Sequence, residues 1–160
     1  MNPWTTPRTV QAALKLMEAG AQLTKITDHV LNRRPFSAIC LWAQSLNSVQ
    51  LDGRIVWSQI TQAMRRQCGF SENSDAGLVN FLNTTDEADV AIVFVERDDG
   101  RIKVDMRSVP GVDVSTVAVG LGGGGHPQAA GCTLESSLDE TRKKVLSVVR
   151  QAMSQEKQQA

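Results

Sequence analysis

The sequence has little that ties it to a membrane, a secretory route or a basic nucleic-acid surface. No apolar run approaches the roughly 18 residues that cross a bilayer, and the first residues carry no apolar secretory core. Lys plus Arg number 17, as do Asp plus Glu, so the formal net charge is zero. These absences favour a cytoplasmic protein without a membrane segment, in which any phosphate binding is local.

Cysteine and histidine are also scarce. Cys40, Cys68 and Cys132 lie far apart with no CxxC spacing, so we expect reduced thiols rather than a disulfide framework or a zinc site. His29 and His126 are the only histidines and lie in different parts of the chain. We expect His29 on a helix surface, and we assign neither a metal site nor a catalytic residue to this chain.

The remaining composition is that of a globular protein. Hydrophobic residues make up 41% and charged residues 21%, which is close to ordinary soluble usage. A chain of 160 residues suffices for one domain, or for a small domain with an attached helical piece. We expect Trp4, Trp42 and Trp57 to be core anchors rather than base-stacking platforms.

The first 45 or so residues are predicted to be helical. Thr6 before Pro7 is typical of a helix start, because the hydroxyl can cap free N–H groups and proline lacks the one left unpaired. Gly20 ends this helix, and two more are predicted over 23–34 and 36–49. The apolar face of the first helix is formed by Val10, Ala13, Leu14 and Met17.

Strands and helices alternate after this segment. An Asp-Gly pair at 52–53 predicts a hairpin turn, and the apolar run 89–96 predicts a central strand covered on both faces. Residues 101–108 alternate strictly, which puts Arg107 on a polar face. Three helices are predicted over 58–69, 74–83 and 138–153, and a fourth begins after Asp113. One more strand is predicted over 132–135. The predicted fold is mixed α/β: a central, mostly mixed sheet flanked by helices and preceded by an N-terminal helical segment.

The segment GGGGHPQAAG at 122–131 is the most unusual part of the sequence. It is short, lies between ordered segments and ends in small residues, which favours a shaped loop over a flexible tether. Glycine allows backbone amides to converge on one anion. Gly120, Gly122 and Gly125 fit GxGxxG, but a predicted helix precedes them where a dinucleotide fingerprint needs a strand. The Walker pattern fails because His126 and Pro127 replace its Lys and Ser or Thr.

We therefore expect a phosphate site of a different kind around this loop. The imidazole of His126 follows the glycines directly and can bond a phosphoryl oxygen. Arg107 and Ser108 at the end of the polar strand offer a guanidinium fork and a hydroxyl for the same phosphate. The predicted binding residues are Arg107, Ser108, Gly122, Gly123, Gly124, Gly125 and His126.

These residues also carry a resemblance to a known family. With RS at 107–108, DV at 113–114, then GGGGH and AAG, the chain resembles the DHH-associated C-terminal domain of DHH-superfamily phosphoesterases, which include nano-RNases, pAp phosphatases and cyclic-dinucleotide phosphodiesterases. The likeness extends from about Gln50 to Met153. It implies that the substrate side of a cleft is lined by Arg107, Ser108, Gly123, Gly124, Gly125 and His126.

The resemblance also implies a missing part, because the Asp-His-His triplet of the catalytic domain is absent from this chain. Two divalent ions, usually manganese, are expected in that domain, so that this chain alone is expected to bind nucleotide without turnover. The expected organisation is a helical connector ending the catalytic domain (1–48), the substrate-binding domain (49–154) and a disordered tail (155–160). Expected partners are the catalytic domain, a short RNA or DNA oligonucleotide or nucleotide phosphate, and, in a homodimer, a second copy of the chain.

Two other functions stay open at this point. One is a tRNA-binding appendage like the related C-terminal domain of alanyl-tRNA synthetases, although neutral charge and the histidine after the glycines speak against it. The other is a self-sufficient hydrolase with His126 as general acid, which activity in EDTA would support.

Overall fold

The N-terminal helices form a unit of their own. The structure is a computed structural model that describes residues 6–28 and 33–159, and its contacts divide the chain between Pro35 and Phe36. The first unit contains α1 (Pro7–Glu18) and α2 (Leu23–Thr27).

Helix α1 has the predicted N-cap, but its predicted apolar face is not buried. Thr6 is the N-cap, and its Oγ1 accepts the N–H of Thr9 at 3.2 Å, as predicted. The apolar positions of α1 are not buried: Val10 is 56% exposed and Leu14 is 54% exposed. His29 and Trp4, for which the sequence predicts a helix surface and a core position, lie outside the described residues.

A six-stranded mixed sheet forms the second unit, and the predicted fold class is confirmed. Strands β2 and β3 are parallel, while the other neighbouring strands are antiparallel. The strand order is β1-β2-β3-β4-β6-β5. The strands are β1 (Gln50–Asp52), β2 (Ile55–Ile60), β3 (Val90–Glu96), β4 (Ile102–Ser108), β5 (Gly124–His126) and β6 (Ala129–Leu134). The helices are α3 (Phe36–Leu46), α4 (Gln62–Cys68), α5 (Leu78–Leu82), α6 (Val114–Gly120) and α7 (Leu138–Gln159).

Strand β3 is covered on both faces, as its unbroken apolar run predicts. On one face Val90, Ile92 and Phe94 join a core with residues of α6 and α7. On the other face its alternate residues join a second core with residues of α3 and α5. That second core takes strand residues from β2 and β3, and among the described residues none of β4, β5 or β6 belongs to it. These three strands carry the candidate site.

Several element boundaries differ from the predictions. Strand β2 continues to Ile60, since Ile60 pairs with Val95, so α4 begins at Gln62 rather than at residue 58. The first hairpin turn is formed by residues 53–54, because Asp52 pairs with Ile55. Strand β6 begins at Ala129 instead of Cys132, as pairing on both sides extends it.

The ends of the sheet domain also differ from expectation. Helix α3 belongs to the sheet unit, where its residue Leu41 is fully buried, although the sequence groups this helix with the connector. The backbone of α7 is helical as far as Gln159, including most of the tail that we expected to be disordered. None of the helices among residues 6–28 and 33–159 is both long and apolar enough to cross a membrane.

The expectation of three reduced thiols is wrong for two of the cysteines. Cys40 on α3 and Cys68 at the end of α4 form a disulfide, with their Cα atoms 5.5 Å apart. The two positions are 28 residues apart, and only the packing of α3 against α4 brings them together. Cys132 is a buried free thiol on β6. Sequence spacing alone did not indicate this pairing.

Candidate functional site

Strands β4, β6 and β5 present a polar face. Cross-strand partners in a sheet project to the same side, and Arg107 pairs with Ala129, which also pairs with His126. The next row along the strands joins Asp105, Gly131 and Gly124 in the same way. We call this surface the polar face; its residues are Lys103, Asp105, Arg107, Gly124, His126, Ala129, Gly131 and Thr133.

Two of the predicted binding residues therefore share one row. Neighbouring strands lie about 4.8 Å apart, so the backbones of Arg107 and His126 are roughly 10 Å apart with Ala129 between them. An arginine and a histidine side chain together can span that gap. The structure brings Arg107 and His126 onto one surface, with a methyl group as the floor between them.

Arg107 is held in place by neighbouring groups. Its Nε donates to Oδ1 of Asn80 at 2.9 Å, and its Nη1 donates to the Met106 carbonyl oxygen at 2.9 Å. Guanidinium has five N–H donors, so these two bonds fix its plane and leave donors for a ligand. Asn80 belongs to α5, whose first turn is tied to Asp75: the Asp75 Oδ2 accepts the N–H of Val79 at 2.7 Å.

A carboxylate also lies on this face. Lys103 Nζ lies 2.8 Å from Oδ2 of Asp105. Burial raises the pKa of the Asp105 carboxyl, and the ion pair with Lys103 opposes that rise. The charge of Asp75 raises the pKa of Asp105 further. The face is therefore a mixture of donors and acceptors rather than a purely basic patch.

Ser108 does not join this face. As the next residue after Arg107 on the strand it points to the opposite side, where it is buried. Its Oγ donates to the Val112 carbonyl oxygen at 2.6 Å and lies 3.3 Å from that of Pro127. Alternation along β4, already evident in the sequence, accounts for this separation. In the structure Ser108 fixes the chain next to the site.

The glycine run is not a nest of free amides. The N–H of Gly122 donates to the Val119 carbonyl and that of Gly123 donates to the Ala118 carbonyl, so both amides close the end of α6. Gly124 and Gly125 belong to the edge strand β5, which pairs with β6. The expected convergence of the amides on one oxyanion is therefore wrong for Gly122 and Gly123.

Glycine is required in this run by the close approach of β6. A Cβ on Gly123 would lie 2.1 Å from the Gly131 carbonyl oxygen. A Cβ on Gly125 would lie 2.5 Å from the Ala129 carbonyl oxygen, and its φ of +147° also disfavours other residues. The glycines thus allow a hairpin that carries His126 at its end.

The turn after His126 is tied to the neighbouring elements. The carbonyl of Pro127 accepts the N–H of Val114 at 2.8 Å, and the N–H of Ser108 donates to the Gln128 carbonyl at 3.3 Å. Helix α6 itself is capped by Asp113, as predicted, since its Oδ1 accepts the N–H of Ser115. This turn thereby fixes the position of the His126 backbone against α6 and β4.

Asn80 and the Lys103–Asp105 pair are the parts of the face that sequence reasoning did not select. The alternation of β4 places Lys103 and Asp105 on the same face as Arg107, so the sequence pattern is sufficient to predict their position on that face. Asn80 lies in a different helix, 27 residues before Arg107. No local signal in the sequence indicates that contact.

The fold and this face define a domain of known type. The chain belongs to the DHHA1 domain family, whose family model matches residues 59–155. It is 34% identical over 154 residues to the Thermus thermophilus protein named bifunctional oligoribonuclease and PAP phosphatase NrnA, covering 94% of this chain and 45% of that protein. The chain thus spans less than half of that relative.

Solved structures show the same fold. An exopolyphosphatase-related protein from Bacteroides fragilis matches with a TM-score of 0.80 at 19% identity, over 94% of this chain and 44% of that one. The pGpG-specific phosphodiesterase PggH from Vibrio cholerae matches with a TM-score of 0.51 at 11% identity, over 96% of this chain and 53% of that one. The resemblance inferred from the RS, DV, GGGGH and AAG segments is confirmed at the level of the family.

Proposed function

We propose that this chain is the substrate-binding part of a cytoplasmic DHH-type phosphoesterase that hydrolyses short oligonucleotides or nucleotide phosphates. Membership of the DHHA1 family supports this proposal. The names of the Thermus relative and of the Vibrio structure describe enzymes that act on oligoribonucleotides, PAP and pGpG. The chemistry that these substrates share is a phosphate attached to a nucleoside.

The row formed by Arg107, Ala129 and His126 is the observation that carries the proposal. A guanidinium whose plane is fixed and an imidazole belong to one row of the sheet, with the methyl group of Ala129 between their backbone positions. A phosphate in that gap would accept charge-assisted hydrogen bonds from Arg107 and a hydrogen bond from His126. The binding is thus done by side chains, while the glycines shape the hairpin.

We further propose that the hydrolytic metal ions, manganese or another divalent ion, are held by a domain outside this chain. Two-metal hydrolysis needs several carboxylate or imidazole ligands close together. Among residues 6–28 and 33–154, whose side chains the structure describes, there is no group of three or more His, Cys, Asp or Glu that could hold a metal ion. The catalytic domain is therefore the expected partner of the polar face.

The proposal is tested by titrating the chain with the dinucleotide pApA in a calorimeter. Arg107→Ala and His126→Ala should each weaken binding by about 1 to 3 kcal/mol, as expected for the loss of a hydrogen bond to a charged group. Lys143→Ala is the matched control, because Lys143 is an exposed cation on α7, away from the polar face. Unchanged affinity in both site variants would contradict the proposal.

A further inference from the structure

The Cys40–Cys68 disulfide lies where a thiol reagent can reach it. Both cysteines are only partly buried, whereas Cys132 is a buried free thiol. In cytoplasmic proteins disulfides are usually transient, because glutathione and thioredoxin keep thiols reduced. In the cytoplasmic location that we propose, this accessible bond is therefore expected to exchange reversibly with small thiols.

The bond holds the less firmly packed half of α3. The end of this helix is anchored by the fully buried Ser45, whose Oγ donates to a carbonyl oxygen of β2 at 2.8 Å. At its start the small Ala38 is buried, while Phe36 is 82% exposed and Ile39 is 53% exposed. The disulfide at Cys40 thus ties this part of α3 to α4.

On the other side, the bond holds the end of α4 and the chain that leaves it. Cys68 is the last residue of α4 and packs against the second core. Arg65, three residues earlier, has a side chain that is 4% exposed. Its Nη1 donates to the Glu72 carbonyl oxygen at 3.2 Å, and its own carbonyl oxygen accepts the N–H of Phe70 at 2.9 Å. The position of α4 therefore sets that of the connection 69–77.

The far end of this connection positions α5 and with it Asn80. Asp75 ties the connection to α5 through the N–H of Val79. Ala76 has a φ of +52°, a left-handed conformation that persists in a residue with a Cβ only where surrounding contacts impose it. Loss of support from α4 favours relaxation of this turn. Since Asn80 accepts from Nε of Arg107, such relaxation displaces one anchor of the guanidinium.

We infer that Cys40–Cys68 is a modification site for thiol–disulfide exchange with a glutathione-type thiol, and that opening the bond weakens nucleotide binding at Arg107. The inference rests on the proposed function of the polar face. It assigns to the disulfide the regulation of that face, through α4, the connection 69–77 and Asn80.

The exchange needs no reactant besides the small thiol and its disulfide. A glutathione thiolate attacks one sulfur of the bond and forms a mixed disulfide, and the displaced cysteine takes up a proton. A second glutathione thiolate then attacks the mixed disulfide. The protein is left with two thiols and the reductant leaves as glutathione disulfide, which reoxidises the pair by the reverse steps.

The wild-type chain supplies both states for the test. Oxidised chain and chain treated with millimolar reduced glutathione are titrated with pApA in a calorimeter. The reduced form should bind about 3- to 10-fold more weakly, because Asn80 no longer holds the guanidinium firmly. Glutathione disulfide should restore the affinity. Cys68→Ser should bind like the reduced form in either buffer, whereas the matched control Cys132→Ala should respond as the wild type does.

Amide hydrogen exchange supplies a readout that does not depend on the ligand. In the reduced chain the amides of residues 69–80 should exchange about 10-fold faster or more, while those of β3 keep their protection. Equal pApA affinities in the two states, or a bond that glutathione opens only in denaturant, would overturn the inference. Loss of protection throughout the sheet would also overturn it, because the bond would then serve the whole fold. If Arg107→Ala and His126→Ala leave binding by the oxidised chain unchanged, the proposed function fails instead.

Discussion

At the scale of single residues, the orientation of Arg107 depends on Asn80. The Asn80 side chain accepts from Nε, which holds the plane of the guanidinium and leaves further N–H donors for a ligand. Asn80 is thus a positioning residue, separate in sequence from the groups that we propose to contact phosphate.

Asn80→Ala should therefore weaken pApA binding about 3- to 10-fold, because the guanidinium loses one of its two anchoring bonds. Asn80→Asp should restore binding, since its carboxylate can accept from the same Nε. The measurement is the dissociation constant together with the thermal midpoint of each variant. Weaker binding in Asn80→Asp as well, with unchanged thermal midpoints, would show that the contact does not position Arg107.

The buried thiol of Cys132 gives a residue-scale prediction about pH. Burial raises its pKa from the usual 9.0 to about 11, so the thiolate is disfavoured in the folded chain. The unfolded chain ionises first as pH rises above 9. The contribution of Cys132 to stability is therefore complete below pH 9 and is lost as pH rises through about 11.

Thiol counting with a chromogenic disulfide reagent tests both the buried free thiol of Cys132 and the Cys40–Cys68 disulfide. At pH 8 native Cys132 should react slowly, because both burial and the raised pKa protect it. The denatured, unreduced chain should yield one thiol, and the reduced chain should yield three. Three thiols before reduction would contradict the Cys40–Cys68 bond.

The Cys132→Ser variant tests the pH prediction. Its free energy of unfolding should change less between pH 9 and 11 than that of the wild type.

At the scale of secondary-structure elements, the β5–β6 hairpin depends on particular glycines and not on glycine content as such. Gly123→Ala should destabilise the protein by about 1 to 3 kcal/mol, because the added methyl group meets the Gly131 backbone. Gly124→Ala is a matched control, since a Cβ there has nothing within 4 Å. Its free energy of unfolding should stay within about 0.5 kcal/mol of the wild type. Urea unfolding measures both, and equal effects would contradict the proposed packing.

The elements also show where sequence patterns are sufficient. Strict alternation in 101–108 correctly predicts both faces of β4, because a strand has only two sides. The central strand β3 follows from its unbroken apolar run for a similar reason. The glycine run by itself predicts a loop that binds through its amides. Its strand pairing was missed because glycine has weak strand propensity, and the close contact with β6 that requires glycine is visible only in three dimensions.

At the scale of the whole molecule, the sequence and the comparisons agree on the DHHA1 family, and the chain spans less than half of the Thermus relative that it matches. The order of helices and strands and the short motifs indicated the family, which the match over 59–155 confirms. Contacts between distant residues could not be predicted: Asn80 with Arg107, and Cys40 with Cys68, are each set by the packing of separate helices. A local sequence pattern does not indicate contacts of this kind between distant residues.

We expect this chain by itself to bind nucleotides without hydrolysing them. Incubation of the chain with pAp and manganese should release no phosphate above a protein-free blank, because the proposed metal ligands belong to another domain. Phosphate release is measured colorimetrically, with and without EDTA. Release that persists in EDTA and disappears in His126→Ala would instead support the hydrolase in which His126 is the general acid.

The carbonyl of Pro127 joins three parts of the molecule, since it accepts the first amide of α6 and lies beside the hydroxyl at the end of β4. The residue before it, His126, is consequently held at a fixed distance from Arg107 even without a ligand. Association with a nucleotide then requires little ordering of the backbone, and the entropy that a slack glycine loop would lose on binding is already lost in folding.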